Sequence, residues 1–534
     1  MSGDFDVAVV GSGFAGSLFA LVARALGRSV ILLEKGRHPR FAIGESSSPL
    51  ANLLLDQLCR RYGLDRIRPF SAWGSWVRSY PEVDCGLKRG FTFFGHSAGE
   101  PRRRDAARAN ELLVAASPRD AVADTHWNRA DFDHFLAREA QAAGVEYVDD
   151  VVLDHFERSG SAVLLEGRRG SRAFSVRARL VVDASGPRGF LCRMLGLPET
   201  AFPHLPRCEG LYTHFRGVAR LEDLPAFASP EDPPYPIDDA AVHHVFEGGW
   251  VWVLRFRSGL VSAGVAAKPE LAAELRLEEG EPAWMRLLAR FPSIGEQFAR
   301  ASAARPFVHA PALPFRAASA AGPDWILLPS AAAFVDPMLS TGIPLTLLGI
   351  ERLAGAVENE WGRPGWTRAL AVCGEATLFD ADAAAMLVAA LAAAYGDFEL
   401  FSRLSLLYFA ASIHAELLRR LFGGERRRGA FLSRDHPAFG PALQSCCAAV
   451  VEASARGTMT RDRGRILAGV LEAIEPLDVA GFSDTGRRNW HPVEAGPLLA
   501  GAAKLGAAPG EIAAMLTRSG FYGEAPAGPV PARA

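Results

Sequence analysis

The stretch DFDVAVVGSGFAG, residues 4–16, sets a valine-rich apolar run directly against a cluster of three glycines. An apolar run of that kind reads as a buried strand, and SLFALVARALG, residues 17–27, has the spacing of a helix. A second apolar run, SVILLEK at 29–35, completes a strand–turn–helix–strand unit. In Gly11-x-Gly13-x-x-Gly16 the first glycine permits the tight turn, the second lets backbone approach a pyrophosphate, and the third lets helix pack close to strand. Backbone amides of Phe14 and Ala15, at the helix start, would then face the phosphates. Alone, the glycine spacing is a weak signal, because a plain turn can carry it. Glu34 ends the second strand, where such units place the acid that accepts from a ribose hydroxyl, with Lys35 beside it. Together the two predict a dinucleotide site. Flavin and nicotinamide dinucleotides share this cradle, so the nucleotide stays open at this point.

The chain has 534 residues, enough for about three ordinary domains or one large composite with an added piece. Its 58 basic and 60 acidic residues leave a net charge of −2, which offers no general field for nucleic acid or an anionic membrane. Seven scattered cysteines without a C-x-x-C pair argue for buried thiols in a reducing cytoplasm, not a disulfide framework or a zinc site. His126 and the pair His243-His244 lack ligand spacing, so no metal is expected. The N-terminus carries acids where a secretory signal needs bases. The apolar run Ala383–Tyr395 is shorter than the roughly 20 residues of a membrane span and reads as a buried helix. The expected location is cytoplasmic.

Along the chain, helix and strand patterns alternate. RADFDHFLAREAQAAG (129–144) reads as a helix, the short segments to Gly186 as strands, and 208–267 as a mostly antiparallel sheet around GWVWVLRF. From Asp324 the pattern returns to strand, loop and helix, as if closing the nucleotide domain. The predicted class is α/β. A composite module covers residues 1–365, its substrate sheet lying mainly at about 205–310. A helical region, 366–523, and a disordered Pro/Ala-rich tail, 524–534, follow.

Several motifs, in order over about the first 360 residues, resemble those of FAD-dependent monooxygenases and, within them, flavin-dependent halogenases of the carrier-protein and phenol-type branch. They are Gly11–Gly16, Gly44-Glu45-Ser46, Lys88-Arg89-Gly90, the run Arg129–Asp133, Val182–Gly186, Trp250-Val251-Trp252 and Asp336–Ile343. The resemblance implies a Rossmann-like FAD domain interleaved with a substrate sheet, as in p-hydroxybenzoate hydroxylase. It also implies FAD as cofactor, reduced during turnover, with chloride or bromide as co-substrate. The substrate would be a small or carrier-bound aromatic, with reduced flavin from a separate reductase.

Residue by residue, the resemblance places Glu45 and Ser46 where the chain passes the flavin, although Ser46 to Ser48 also read as a helix cap. Arg129 falls against the ribityl or pyrophosphate region, its plain reading being a helix-start residue. Asp336, Ser340, Thr341, Gly342 and Ile343 lie along the flavin ring, with helix-start amides near its N1. Trp250 and Trp252, on one face of a strand, wall the flavin from the substrate, or are core aromatics. Lys88 stands in a tunnel between the two and directs hypohalous acid, or is a solvated lysine at a strand end. Lys88 and Ser340 are thus the candidate catalytic residues.

The chain departs from the pattern in three places. Pro329-Ser330 replaces the usual Gly-Asp, Leu339 stands where tryptophan-type halogenases have a glutamate, and Leu254-Arg255 replaces Ile-Pro. A hydroxylase of the same fold, and a reductase or maturation factor without oxygen chemistry, remain as other readings. The runs Arg102–Arg104 and Arg426–Arg428 read as solvated loops or as docking points for an acidic carrier domain.

Overall fold

The computed structural model describes residues 4–160, 162–426 and 430–523. Two large sheets organise it. The first joins β1 (Asp4–Val10), β2 (Val30–Leu33), β7 (Glu146–Val148), β8 (Val151–Ser159), β9 (Ala162–Arg169), β10 (Arg172–Asp183) and β18 (Trp325–Leu327). Its order is β7-β2-β1-β10-β9-β8, with β18 on β10. The pairs β2–β7, β1–β2, β1–β10 and β10–β18 are parallel, while β8, β9 and β10 form an antiparallel flap. Parallel strands need crossovers that cover the sheet, which is why β1 and β2 carry unbroken apolar runs buried on both faces. The glycine-led helix Phe14–Ala25 packs between helices Arg129–Ala142 and Gly342–Glu360, with Phe14 through Ala23 all buried.

The second sheet joins β4 (Gly90–His96), β5 (Glu111–Ala115), β11 (Glu209–Arg216), β12 (Ala241–Phe246), β13 (Gly249–Arg255), β14 (Val261–Ala267), β15 (Ser302–Ala303), β16 (Val308–Ala310) and β20 (Trp490–His491). Its order is β15-β11-β14-β13-β12-β4-β5-β20, with β16 on β11. It is antiparallel except where β4 meets β12 and β5 meets β20. Strands β4 and β5 come from ahead of the expected span, and β20 from the helical region. The C-terminal part therefore closes the edge of the substrate sheet as well as packing on it. Two short pairs, β3 (Cys85–Lys88) with β6 (Asp124–Trp127) and β17 (Phe315–Arg316) with β19 (Ala333–Phe334), join the sheets.

Helix Trp366–Ala393 extends well beyond the apolar run seen in the sequence. It is long and apolar enough to cross a membrane, but 67% of its apolar stretch is buried inside the protein, as in a core helix. All seven cysteines are buried, and none is in a disulfide. No cluster of metal-ligating side chains occurs among the described residues.

The expectation of solvated arginine loops is corrected at Arg102. This residue is buried, ion-paired with Glu111, and stacked on Phe94 and Phe227. Its neighbours Arg103 and Arg104 are the exposed ones. The side chains of the run 426–428 and the tail 524–534 lie outside the described residues.

Candidate active site

The glycine turn is forced by space. Gly11 has φ +98°, and a Cβ on Gly16 would lie 1.9 Å from the Gly11 carbonyl oxygen. Glu34 is buried beside this turn. One carboxylate oxygen accepts from the Ser12 amide (3.0 Å) and hydroxyl (2.9 Å), the other from the Gly36 amide (3.0 Å). Burial alone would raise its pKa, but the Arg40 guanidinium and these donors outweigh burial and hold it below the ordinary carboxylate value. Lys35 is exposed, and the structure does not bring it to the site.

From the turn a cavity of about 480 Å³ runs between the two sheets. Its lining includes Gly13, Phe14, Ala15, Glu45, Ser46 and Arg129 together with Trp250, Trp252, Asp336, Ser340, Thr341, Gly342 and Ile343. Ser330 also lines it, at the position where a carboxylate was missed in the sequence. Arg129 holds Asp133 through two 2.8 Å bonds and donates to the carbonyls of Ile43 and Gly44. It thus fixes the passing loop to the helix. Glu45 meets His214 of β11 at 2.8 Å, tying that loop to the second sheet. Ser48 caps helix Pro49–Tyr62 by accepting from the Ala51 amide, as the cap reading expects, while Ser46 lines the cavity.

Leu339 and Ser340 both adopt left-handed backbone, with φ of 61° and 54°. Non-glycine residues there cost on the order of 1–3 kcal/mol each and tend to mark functional loops. The turn brings the first amides of helix Gly342–Glu360 to the cavity wall, a place suited to negative charge. Leu339 itself is fully buried in the core, so no acid acts there. Asp336 accepts from the Met338 amide, and burial pushes its carboxyl up to about 7. Trp250 stacks on His243 and lies 5.7 Å, centroid to centroid, from Trp252. Gly264 makes room for that wall, since a Cβ there would strike the Trp252 ring at 2.4 Å.

Lys88 ends β3 and is completely buried. Its ammonium donates to the Ser47 carbonyl and, at 3.3 Å, to the Ser340 hydroxyl, and sits 3.7 Å from the centre of the Phe91 ring. Burial pushes the amine down to about 7, partly opposed by the charge of Asp124. Asp124 stands opposite Lys88 in the β3–β6 register and lines a second cavity of about 280 Å³. Lys88 does not line the large cavity itself. Its amine meets Ser340, which lines that cavity, and Asp124, which lines the second, is its partner in the strand register.

A profile for FAD-dependent oxidoreductases matches residues 6–328. The chain belongs to the FAD-dependent oxidoreductase family. It is 29% identical over 359 residues to monodechloroaminopyrrolnitrin halogenase PrnC of Pseudomonas fluorescens, covering 66% of this chain and 61% of that relative. It is 29% identical over 355 residues to tetracycline 7-halogenase of Kitasatospora aureofaciens, covering 64% and 61%. The chain thus spans about 61% of the length of both. Halogenase PltM, solved in complex with phloroglucinol and FAD, superposes with a TM-score of 0.80 at 26% identity, covering 91% of this chain and 99% of that one.

The residues present fit the family's cofactor. The amide-rich turn, the engaged Glu34 and the helix start at Gly342 lie beside or along one cavity. One of its lining side chains, Ser46, keeps a buried hydroxyl without a protein partner, and the Trp250 indole meets the Asp336 carboxyl on the same wall. In this FAD-dependent oxidoreductase the Gly11–Gly16 turn and Arg129 would hold the dinucleotide end, and residues 336–343 and the tryptophan wall the flavin end. Sequence reasoning missed His214, Asp124 and the second cavity. No local motif marks them, because each is assembled from segments far apart in the chain.

Proposed function

We propose that this oxidoreductase is a flavin-dependent halogenase acting on an electron-rich aromatic substrate, with FAD in the large cavity and the substrate in the second. The observation that carries the reading is Lys88, a buried amine that bonds Ser340 of the large cavity and stands opposite Asp124 of the second in the β3–β6 pair. Reduced FAD, when bound, supplies two electrons to oxygen, which takes two more from chloride or bromide to yield hypohalous acid and water. Trp250 and Trp252 block direct contact between flavin and substrate. The oxidant therefore reaches the substrate only past Lys88.

A lysine near its own pKa at neutral pH offers both a hydrogen-bond donor and a free amine, and either form can hold hypohalous acid. The C-terminal helices supply much of the second cavity through Ile413, Leu417, Leu498, Met515, Leu516 and Phe521, an apolar surface suited to an aromatic ring. The halogenase names of the similar proteins, and phloroglucinol in one solved neighbour, support the same reading. The described residues contain one glycine cradle, which favours reduced flavin from a separate reductase. A carrier-bound substrate is the other form this site would have to admit.

The test supplies purified protein with FAD, a flavin reductase, NADH, halide and a panel of electron-rich aromatics. Halide-dependent halogenated product, lost in Lys88→Ala while flavin reoxidation continues, is expected. Hydroxylated product indifferent to halide, with Lys88→Ala still active, would assign the hydroxylase reading instead. No oxygen consumption by the reduced, FAD-loaded protein would assign the reductase or maturation reading.

A further inference from the structure

The second cavity has an apolar side and a polar corner. Four residues lining that corner are more than nine-tenths buried and keep polar atoms without a partner: Asn52 Oδ1, Ser117 Oγ, Asp124 Oδ2, and both ring nitrogens of His491. Buried polar atoms left unpaired cost about 1–3 kcal/mol each. Five such atoms around one cavity describe a binding partner that brings its own hydrogen-bonding groups. Asn52 Nδ2 donates to Asp124 Oδ1 at 3.0 Å, which orients the carboxyl and leaves the other oxygen open. A small hollow of about 20 Å³ lies beside Phe91, the ring under the Lys88 ammonium, and shares Pro49, Ala115 and Glu416 with the cavity lining. Asp124 itself stands opposite Lys88 in the β3–β6 pair, which puts its carboxyl at the end of the cavity nearest the amine.

We propose that Asp124 Oδ2 accepts the hydroxyl proton of a phenolic substrate in this cavity while His491 meets a second polar substituent, so that the ring carbon activated by the oxygen is the one Lys88 addresses. The inference rests on the halogenase reading and names its substrate class. In the step, taken by the ionised form of Asp124, the substrate O–H bond breaks and its proton goes to the carboxylate. The ring carbon ortho or para to that oxygen then bonds to halogen as the O–X bond of hypohalous acid breaks. The electron pair of that bond leaves with the oxygen, which becomes water on taking a proton. Loss of the ring proton restores aromaticity, and Asp124 returns its proton to the substrate oxygen. The sum is phenol plus hypohalous acid giving halophenol plus water.

Burial suits Asp124 to the task by pushing its carboxyl up to about 8, an effect countered by Lys88, reinforced by Glu416 and opposed by Arg420. A base that binds a proton this firmly matches a phenol far better than an ordinary carboxylate does. His491 is held neutral by the same burial, its pKa pushed down to about 3, so its ring keeps one donor and one acceptor.

The test compares wild type, Asp124→Asn and Asp124→Ala with 1,3-dihydroxybenzene, 1,3-dimethoxybenzene and a series of fluorinated phenols of rising acidity. It records binding by titration calorimetry, kcat and KM separately, and hypohalite escaping to a thiol trap. Wild type is expected to bind the diol at least tenfold more tightly than the diether. Asp124→Asn should lose about 100-fold or more in kcat with KM nearly unchanged, keep making hypohalite, and regain rate as the phenol becomes acidic enough to ionise unaided. Asp124→Ala should also lose the preference for the diol. The proposal is overturned if the diether is halogenated as fast as the diol, or if Asp124→Asn keeps its kcat or shows the same deficit for every phenol. Wild type that makes neither hypohalite nor any halogenated arene would instead sink the halogenase reading beneath it.

Discussion

Lys88 and Asp124 stand residue against residue across the β3–β6 pair, both buried, yet they serve different cavities: Lys88 reaches Ser340 of the large one, while Asp124 lines the small one. Each is out of water for a reason other than stability. A fully buried ammonium costs several kcal/mol of hydration that two hydrogen bonds and an aromatic face only partly return. Burying this ammonium therefore costs the fold stability.

Lys88→Met tests that trade directly. The thioether keeps the length and volume of the lysine stem and removes the charge, and Asp124, which holds its proton in the fold, is not left as a stranded anion, so the protein should melt at higher temperature. Halogenation should be abolished while FAD still binds. A lower melting temperature, read by differential scanning fluorimetry, would mean that the ammonium contributes to the fold.

The same pair predicts a dip in stability with pH. Asp124 holds its proton up to about 8 in the fold against an ordinary 3.8, so its contribution falls as pH rises through that window. Lys88 releases its proton near 7 in the fold but only near 10.5 when unfolded, so its contribution recovers as pH rises through that second window. The two limbs meet near neutrality. Chemical denaturation across pH should show Asp124→Asn lacking the falling limb and Lys88→Met lacking the rising one, each by difference from wild type.

The glycine turn yields a contrast between two identical substitutions. In Gly16→Ala the added carbon falls 1.9 Å from the Gly11 carbonyl oxygen, backbone against backbone, and nothing flexible can yield. FAD binding should be lost, and soluble yield with it. Gly464→Ala, in helix Met459–Ile474 with open space around it, should leave FAD binding untouched and stabilise by roughly 0.5–1 kcal/mol through helix propensity. Flavin absorbance after FAD loading, with melting temperature, reads both.

What was legible in the sequence follows chain distance. Gly11, Gly13, Gly16 and Glu34 declare themselves because a strand, a turn, a helix and a strand fit within the first 35 residues, and each step has its own local signature. Trp250 and Trp252 share a face by strand alternation alone. Asp124 has no such signal. Its meaning depends on pairing with Lys88 from an earlier strand, and on helices some 300 to 400 residues later that close the cavity around it. His214 gains its role only by meeting Glu45, 169 residues away. Arg102 misled for a related reason: three adjacent arginines look solvated, but only Arg103 and Arg104 are, because the first is turned into the core against Phe94 and Phe227.

Arg102 carries the last prediction. Its guanidinium is 1% exposed, and Glu111, its charge partner, also accepts from the Trp490 indole nitrogen at 2.9 Å. Trp490 belongs to β20, the C-terminal segment that closes the substrate sheet, and the Arg108 guanidinium lies 3.4 Å from its ring centre. Glu111→Ala therefore strands a buried cation and releases one anchor of β20 at once. The expected loss is roughly 3–5 kcal/mol, since removing one partner leaves the other charge buried and unpaired. The double variant Glu111→Ala with Arg102→Met should recover part of that loss, because no charge is then left in the core. If the single variant melts like wild type, the ion pair is open to water and β20 is held by other contacts. Protease sensitivity ahead of Trp490 would show whether the released strand lifts from β5, and so whether this buried pair, more than the helices around it, fastens the C-terminal region over the second cavity.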